Sequence, residues 1–417
     1  MSASMKRLAF ASVVGTALEY YDFAVYNTLA ALVFNQVFFP TVDPLSGALL
    51  AFATFWVGYL SRPVGGLLFG HFGDRRGRRF VLVITLLIMG LTTLAIGLLP
   101  TYSQVGVLAP VLLVSLRFIQ GMALGGEWAG AVLLTMEHGD ESQRGRNASF
   151  AQMGPAIGVL LATVSVALTT WAFTSEELIA WGWRVPLLAS AILVAFGLWV
   201  RRSVPESPQF QSVDQASHRS PLRELLRDHW RGLVRAGAVR AGPDVLYSLL
   251  SVFTLTYLTT VLGMSRTLGT AALAIGAGVC AVMIYVAGRM SDRLGRRKVY
   301  AVATVVSMAW LWLLFPLLET RSDWAVVLVF VSGLTLHAFM YGPQAAFIAE
   351  QFPTHVRYAG ASLAYTFAGV FAGGFAPFAF TALYRAYDTT SVVVIYTSLA
   401  MVITLMALAM ARRRGSL

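Results

Sequence analysis

Gly70-His71-Phe72-Gly73-Asp74-Arg75-Arg76-Gly77-Arg78-Arg79 returns 218 residues later as Gly288-Arg289-Met290-Ser291-Asp292-Arg293-Leu294-Gly295-Arg296-Arg297. A second pair recurs at a spacing of 213: Glu137 and Arg144, followed by Ala148-Ser149, match Glu350 and Arg357, followed by Ala361-Ser362. Two unrelated motifs repeating in the same order half a chain apart mark an internal duplication. Gly77 and Gly295 permit tight turns. Asp74 and Asp292 are placed to meet the positive end of a neighbouring helix or a nearby arginine. Contacts of that kind would latch one conformation; the plainer alternative is that the arginines only anchor topology.

Both copies of the motif sit between long apolar runs. Such runs fall near 8–34, 46–70, 80–99, 105–136, 146–173 and 184–201, and again near 234–262, 267–288, 299–318, 324–349, 359–384 and 391–411. Each approaches or exceeds the roughly 20 residues needed to cross a hydrocarbon core. The 417 residues are 57% hydrophobic and 12% charged, with a mean hydropathy of +0.69. Soluble domains carry about 25% charged residues, so there is too little polar surface here to face water. The expectation is an all-α polytopic membrane protein of twelve transmembrane helices in two pseudo-symmetric six-helix bundles. The bundles would span 1–201 and 234–417, joined by a cytoplasmic linker, 202–233, with a short surface helix.

Loop charge sets orientation. With both termini inside, the inner segments hold 24 lysines and arginines, and the outer loops hold only Arg266, Arg321 and Arg385. The net charge of +11 is therefore a topological signal and calls for no nucleic-acid partner. The expected location is the plasma (cytoplasmic) membrane, multi-pass, with both termini cytoplasmic. Lys6 and Arg7 precede an apolar run, but Glu19-Tyr20-Tyr21-Asp22 interrupts it, so the N-terminus reads as a retained first span. The single cysteine, Cys280, excludes an internal disulfide.

The loop G-x-x-x-D-R-x-G-R-R between the second and third spans, echoed between the eighth and ninth, resembles the signature of the major facilitator superfamily. Other stretches resemble its metabolite:proton symporters: Glu19-Tyr20-Tyr21-Asp22-Phe23, Arg62-Pro63-Val64-Gly65-Gly66, Arg117-Phe118-Ile119-Gln120-Gly121, Gly125-Gly126-Glu127-Trp128 and Trp183-Arg184-Val185-Pro186. Glu350-x-Phe352-Pro353-Thr354-x-Val356-Arg357-Tyr358 agrees as well. The resemblance covers essentially the whole chain and implies secondary transport. Relatives carry shikimate, 2-oxoglutarate, citrate, proline or betaine, so it does not transfer a substrate. It also implies that Asp22 and Arg117 match a proton-linked carboxylate–arginine pair of the related sugar–proton symporters.

Ionisable groups inside a bilayer cost at least about 2.5–3.5 kcal/mol each, which makes them functional candidates. Glu19, Asp22 and Tyr26 share one face of the first helix, and Arg117, Gln120, Leu124 and Glu127 share one face of the fourth. Trp56, Tyr59 and Arg62 align in the second, and Arg240, Asp244, Tyr247 and Ser251 in the seventh. Each stripe is expected to face a central cavity. Asp22, with Glu19, Arg117 and Glu127, forms the expected proton-coupling set. The guanidinium of Arg62 offers two parallel donors to a substrate carboxylate. Tyr21, Tyr59, Gln120, Trp128, Gln152, Asp244, Tyr247, His337, Tyr341 and Gln344 complete the expected substrate lining, with a hydrogen-bonded core histidine as the plainer reading of His337. The gating set is Asp74, Arg75, Arg78, Glu137 and Arg144, with Asp292, Arg293, Arg296, Glu350 and Arg357 in the second copy.

No Walker loop, nucleophile elbow or closely spaced His/Cys metal set appears. Lys6 and Lys298 are the only lysines, so a phosphate-gripping lysine has no place. The expectation is a non-enzyme without cofactor or metal, whose partners are protons, a small-molecule substrate and the lipid bilayer, with no obligatory protein partner. The leading reading is a proton-coupled importer of a small organic anion or zwitterion by alternating access. A proton-linked exporter of amphipathic drugs, a non-transporting membrane sensor and a channel are the rivals.

Overall fold

Apolar segments in a bilayer must pair every backbone amide and carbonyl internally, and the helix does this within one segment. The computed structural model describes residues 3–41, 54, 56–202 and 221–411, and no strand occurs among them. Helix α1 (Ala3–Leu29) continues through a π-helical turn, Ala30–Phe34, to Phe38. Then come α2, which ends as Arg62–Arg76, α3 (Arg78–Gly97), α4 (Leu108–His138), α5 (Arg144–Ala172) and α6 (Arg184–Arg202). The second set is α7 (Trp230–Val261), α8 (Arg266–Leu294), α9 (Arg296–Glu319), α10 (Asp323–Ala349), α11 (Thr354–Tyr387) and α12 (Ser391–Met410). Among the described residues, nine helices are long and apolar enough to cross a membrane. A tenth span is bent: Ser175–Gly182 meets α6 at 48°, a feature absent from the hydropathy reading. The first span, α1, is made less apolar by Glu19 and Asp22, and the beginning of the second lies outside the described residues.

The motif glycines behave as the turns require. Gly77 (φ 101°) separates α2 from α3, and Gly295 (φ 92°) separates α8 from α9, conformations that a side chain would strain. The two halves meet along two seams, α2 against α11 and α5 against α8. At the second seam Gly145 and Gly288 cross so closely that a Cβ on Gly288 would lie 2.8 Å from the Gly145 carbonyl oxygen and 2.6 Å from Ser149 Cβ. The outer face is apolar: Trp171 is 86% exposed and Trp324 83%, as lipid contact permits.

Within the predicted linker, helix Pro221–Asp228 packs on α2, on the turn Thr354–Val356 and on α11. Residues 203–220, including Pro205-Glu206-Ser207-Pro208, and the basic tail Arg412-Arg413-Arg414 lie outside the described residues.

Candidate functional site

A cavity of about 480 Å³ lies between the two halves. Along α8 its wall runs from Arg266 and Thr270 to Cys280 and Ile284, a depth of about 27 Å at 1.5 Å per residue. It stops one turn before Gly288, where α5 and α8 meet. The cavity therefore reaches toward the Arg266 end of the molecule and is sealed at the end that carries the two arginine-rich motifs.

The floor is polar and aromatic and is drawn from both halves. Tyr365 is its centre, with its hydroxyl 3.2 Å from that of Tyr20 and 3.1 Å from that of Tyr341. Its ring stacks on Trp128 at 3.9 Å. The Trp128 Nε1–H donates to Gln152 Oε1 (2.6 Å), and Gln152 Nε2 donates to the Tyr341 carbonyl (3.1 Å). His337 stacks on Tyr341 at 5.1 Å, with Cys280 Sγ 3.9 Å from its Nδ1.

Two buried arginines enter this space. Arg240 lies over the Tyr365 ring at 3.4 Å, donates to the Tyr365 carbonyl and is neutralised by Asp244 at 2.7 Å. Arg62 is only 6% exposed, packed over the rings of Tyr59 (3.8 Å) and Phe23 (4.5 Å). Among the described residues it forms no ion pair, and its Nε and Nη2 have no hydrogen-bond partner. Since Asp244 already cancels Arg240, the buried wall carries one net positive charge, on Arg62.

Of the expected lining, Arg62, Tyr59, Gln152, Asp244, Tyr247, His337 and Tyr341 face the cavity, and Ser251 does too. Four others do not line it. Tyr21 donates to the Pro186 carbonyl inside the first bundle. Gln120 donates to Thr93 and accepts from Arg117. Trp128 lies beneath Tyr365, and Gln344 donates to the Tyr300 hydroxyl. In their place the wall takes Tyr20 and Asn27, a polar pair seven residues apart, together with Tyr365, while Arg240 of the expected α7 stripe lines it as well.

The stripes expected to face the centre from α1 and α4 instead face one another within the first bundle, where polar partners meet some of their groups and leave others unmet. Arg117 donates to Gln120 (2.6 Å) and Asn27 (2.7 Å), between the rings of Tyr26 (3.9 Å) and Phe23 (4.0 Å). No ion pair joins it to Asp22 among the described residues, which departs from the implied carboxylate–arginine pair. The Asp22 carboxyl faces the hydroxyls of Thr93 and Ser190, yet neither oxygen is within hydrogen-bonding geometry of a partner. Glu127 accepts from Thr16 at 2.9 Å, and Glu19 is fully buried nearby on α1.

The sealed end is built twice. Asp74 accepts from the amides of Tyr358 (3.3 Å) and Ala359 (3.0 Å) at the start of the long helical part of α11. Asp292 accepts from the amides of Gly145 and Arg146, both 2.8 Å, at the start of α5. Each carboxylate thus docks on a helix N-terminus from the opposite half, where unpaired amides and the helix dipole favour a negative charge. Arg78 lies 3.8 Å from Asp74 and 3.5 Å from Glu137, and Arg296 lies 3.3 Å from Asp292 and 3.1 Å from Glu350. The copies differ in one contact: Arg357 reaches across to Glu137 (3.4 Å), whereas Arg144 pairs with Glu141 in its own segment. Arg75 and Arg293 project to the exterior rather than joining these clusters.

A family model described as Major Facilitator Superfamily matches residues 12–377 and again 245–416. The inner membrane metabolite transport protein YhjE of Escherichia coli (strain K12) is 40% identical, over 90% of this chain and 87% of its own. The shikimate transporter of the same organism is 39% identical, over 91% and 87%. The proline/betaine transporter of Salmonella typhimurium (strain LT2) is 32% identical, over 88% and 76%. Among solved structures, the proton:xylose symporter XylE bound to 6-bromo-6-deoxy-D-glucose superposes with a TM-score of 0.77 at 16% identity, over 98% of this chain and 95% of that one.

Proposed function

The chain belongs to the major facilitator superfamily, and from that premise we propose that it carries a small organic anion or zwitterion into the cell together with a proton, by alternating access. The observation that carries this reading is the buried, unpaired guanidinium of Arg62 in a cavity whose other buried arginine, Arg240, is already neutralised. A buried charge without a partner is costly, and a substrate carboxylate held by parallel N–H donors would relieve that cost. Tyr20, Tyr59, Tyr247 and Tyr365 offer apolar rings with polar tips around the same space. Relatives named for metabolites, shikimate and proline/betaine support a small organic solute.

The arginine-rich end is cytoplasmic on the loop-charge argument, which places both termini inside a plasma membrane. The conformation is then closed to the cytoplasm by Asp74 and Asp292, with the substrate site reached from outside. Release inward requires both seams to part, so the two docked carboxylates act as the gate. Asp22 is the proposed proton carrier: a carboxyl buried without hydrogen-bond partners is expensive as a bare anion, and a bound proton removes that expense. Exposure to water in the other conformation would let the proton leave. Arg117, held by neutral partners, then supports the position of α1 rather than sharing the proton.

The direct test is counterflow in proteoliposomes with a panel of carboxylates and zwitterions. Saturable exchange of at least one carboxylate, accelerated by an imposed pH gradient during net uptake, is expected. Exchange confined to amphipathic cations would sink the reading.

A further inference from the structure

The linker helix Pro221–Asp228 contributes a side-chain cluster that the transport cycle as described does not use. Glu224, in the first turn of that helix, His229, just beyond its end, and His355, in the opening turn of α11, bring their ligand atoms within 4.8 Å of one another. His355 Nε2 is 2.6 Å from Glu224 Oε1, and His229 Nε2 is 4.0 Å from the same oxygen. The three side chains are 25–32% exposed, so the cluster is anchored but open to the surrounding water. Leu225, beside Glu224, is fully buried among Phe352, Tyr358 and their neighbours, which fixes the helix on the seam.

We propose that these three residues form a site for a zinc-class divalent ion at the cytoplasmic face, and that the ion regulates opening. Two imidazoles and one carboxylate are a zinc donor set that leaves a fourth position for water. Tetrahedral ligands about 2.1 Å from a metal are about 3.4 Å apart, so the Glu224–His355 pair must open slightly and His229 must close in by side-chain rotation. The site joins two parts of the chain that bear on the gate. His355 precedes the amides of Tyr358 and Ala359, which dock on Asp74, by only a few residues. The linker helix also packs on α2, the helix that carries Asp74. A bound ion would therefore tie the linker, α2 and α11 together in the closed arrangement and slow the opening of the seam.

The site is separate from the substrate cavity, and its binding assay does not depend on the transport reading. Full-length protein in detergent, carrying no polyhistidine tag, is titrated with zinc chloride by calorimetry and by thermal melting. One ion per chain in the micromolar range and a raised melting temperature are expected. Glu224→Gln keeps a hydrogen bond to His355 but removes the anionic ligand. It should weaken zinc binding by more than about tenfold, as should His229→Gln and His355→Gln, while all three retain the zinc-free melting temperature. In proteoliposomes, zinc on the cytoplasmic face should slow exchange by the wild type and leave the three variants unaffected. No zinc binding in the micromolar range, or binding indifferent to all three substitutions, overturns the site. Binding at these residues without any change in exchange rate overturns the regulatory role.

Discussion

Arg62 and Arg240 face one cavity from opposite halves, yet only Arg240 has a carboxylate beside it, Asp244 at 2.7 Å. Deep in the cavity the N-terminal half thus presents a cation and the C-terminal half a neutralised pair, with Arg266 at the outer end of the wall. An anionic group entering from the open end meets an attractive wall on one side and tyrosine hydroxyls on the other. On the proposed function, this asymmetry rather than the number of charges would select the class of solute.

Arg62→Gln should remove that attraction at a small cost to the fold, since no ion-paired group is abandoned and only the stacking on Tyr59 and Phe23 is lost. A hydrogen bond to a charged group is worth about 1.5–3 kcal/mol, so binding of a carboxylate substrate should weaken by roughly 10–100-fold. Equilibrium binding and a melting curve on the same preparation separate the two effects. Unchanged affinity in the variant would take Arg62 out of the binding site.

Asp22→Asn should abolish accumulation driven by a pH gradient and preserve exchange of substrate. Because Arg117 is held by Gln120 and Asn27, the substitution leaves no orphaned cation, and the melting temperature should not fall. If the well-folded variant still concentrates substrate when a proton gradient is imposed, another group carries the proton, with Glu19 and then Glu127 next in turn.

Asp74→Asn and Asp292→Asn should each weaken a carboxylate docked on two backbone amides. The charged acceptor is lost, about 1.5–3 kcal/mol of closed-state stability, and the population should move toward the form open to the cytoplasm. Cysteine labelling along the α2–α11 seam reads that shift. Arg357→Ala should reproduce it more strongly than Arg144→Ala, because only Arg357 reaches across to the other half. Equal effects of the two would contradict the asymmetry at Glu137.

Gly288→Val tests the second seam. The added side chain meets Ser149 and the Gly145 carbonyl in the closed form but nothing once the halves part. Overpacking costs about 1–3 kcal/mol, so the variant should fold and rest open to the cytoplasm, with labelling from the outer side of the cavity reduced. Normal outward accessibility would mean that the seam yields by other means.

A reporter fused after Leu417 checks the orientation on which the gate assignment depends. Activity in its cytoplasmic form is expected, and activity only in its external form would reverse which gate faces the cell interior.

Much of the site was legible before any coordinates because a helix repeats every 3.6 residues. The stripe Arg240, Asp244, Tyr247, Ser251 and the pair Tyr59, Arg62 all face the cavity. On α1 the expected stripe was Glu19, Asp22 and Tyr26, with Tyr21 as an aromatic wall, whereas Tyr20 lines the cavity. One residue turns the helix face by about 100°, and periodicity alone cannot say which face a neighbour covers. The bend before α6 escaped notice because hydropathy records length, not direction.

The sequence by itself determined the twelve-helix plan, the duplication and the place of the arginine-rich motifs, because burial in lipid, loop charge and repeated motifs act locally along the chain. Only the tertiary structure decided which buried charges are answered. Arg117 carries the same formal charge as Arg62, but Gln120, Asn27 and two rings surround it, while the Nε and Nη2 of Arg62 face the cavity without partners. Electrostatic cost depends on what lies within a few ångströms across the packing, and that neighbourhood is assembled from helices distant in sequence.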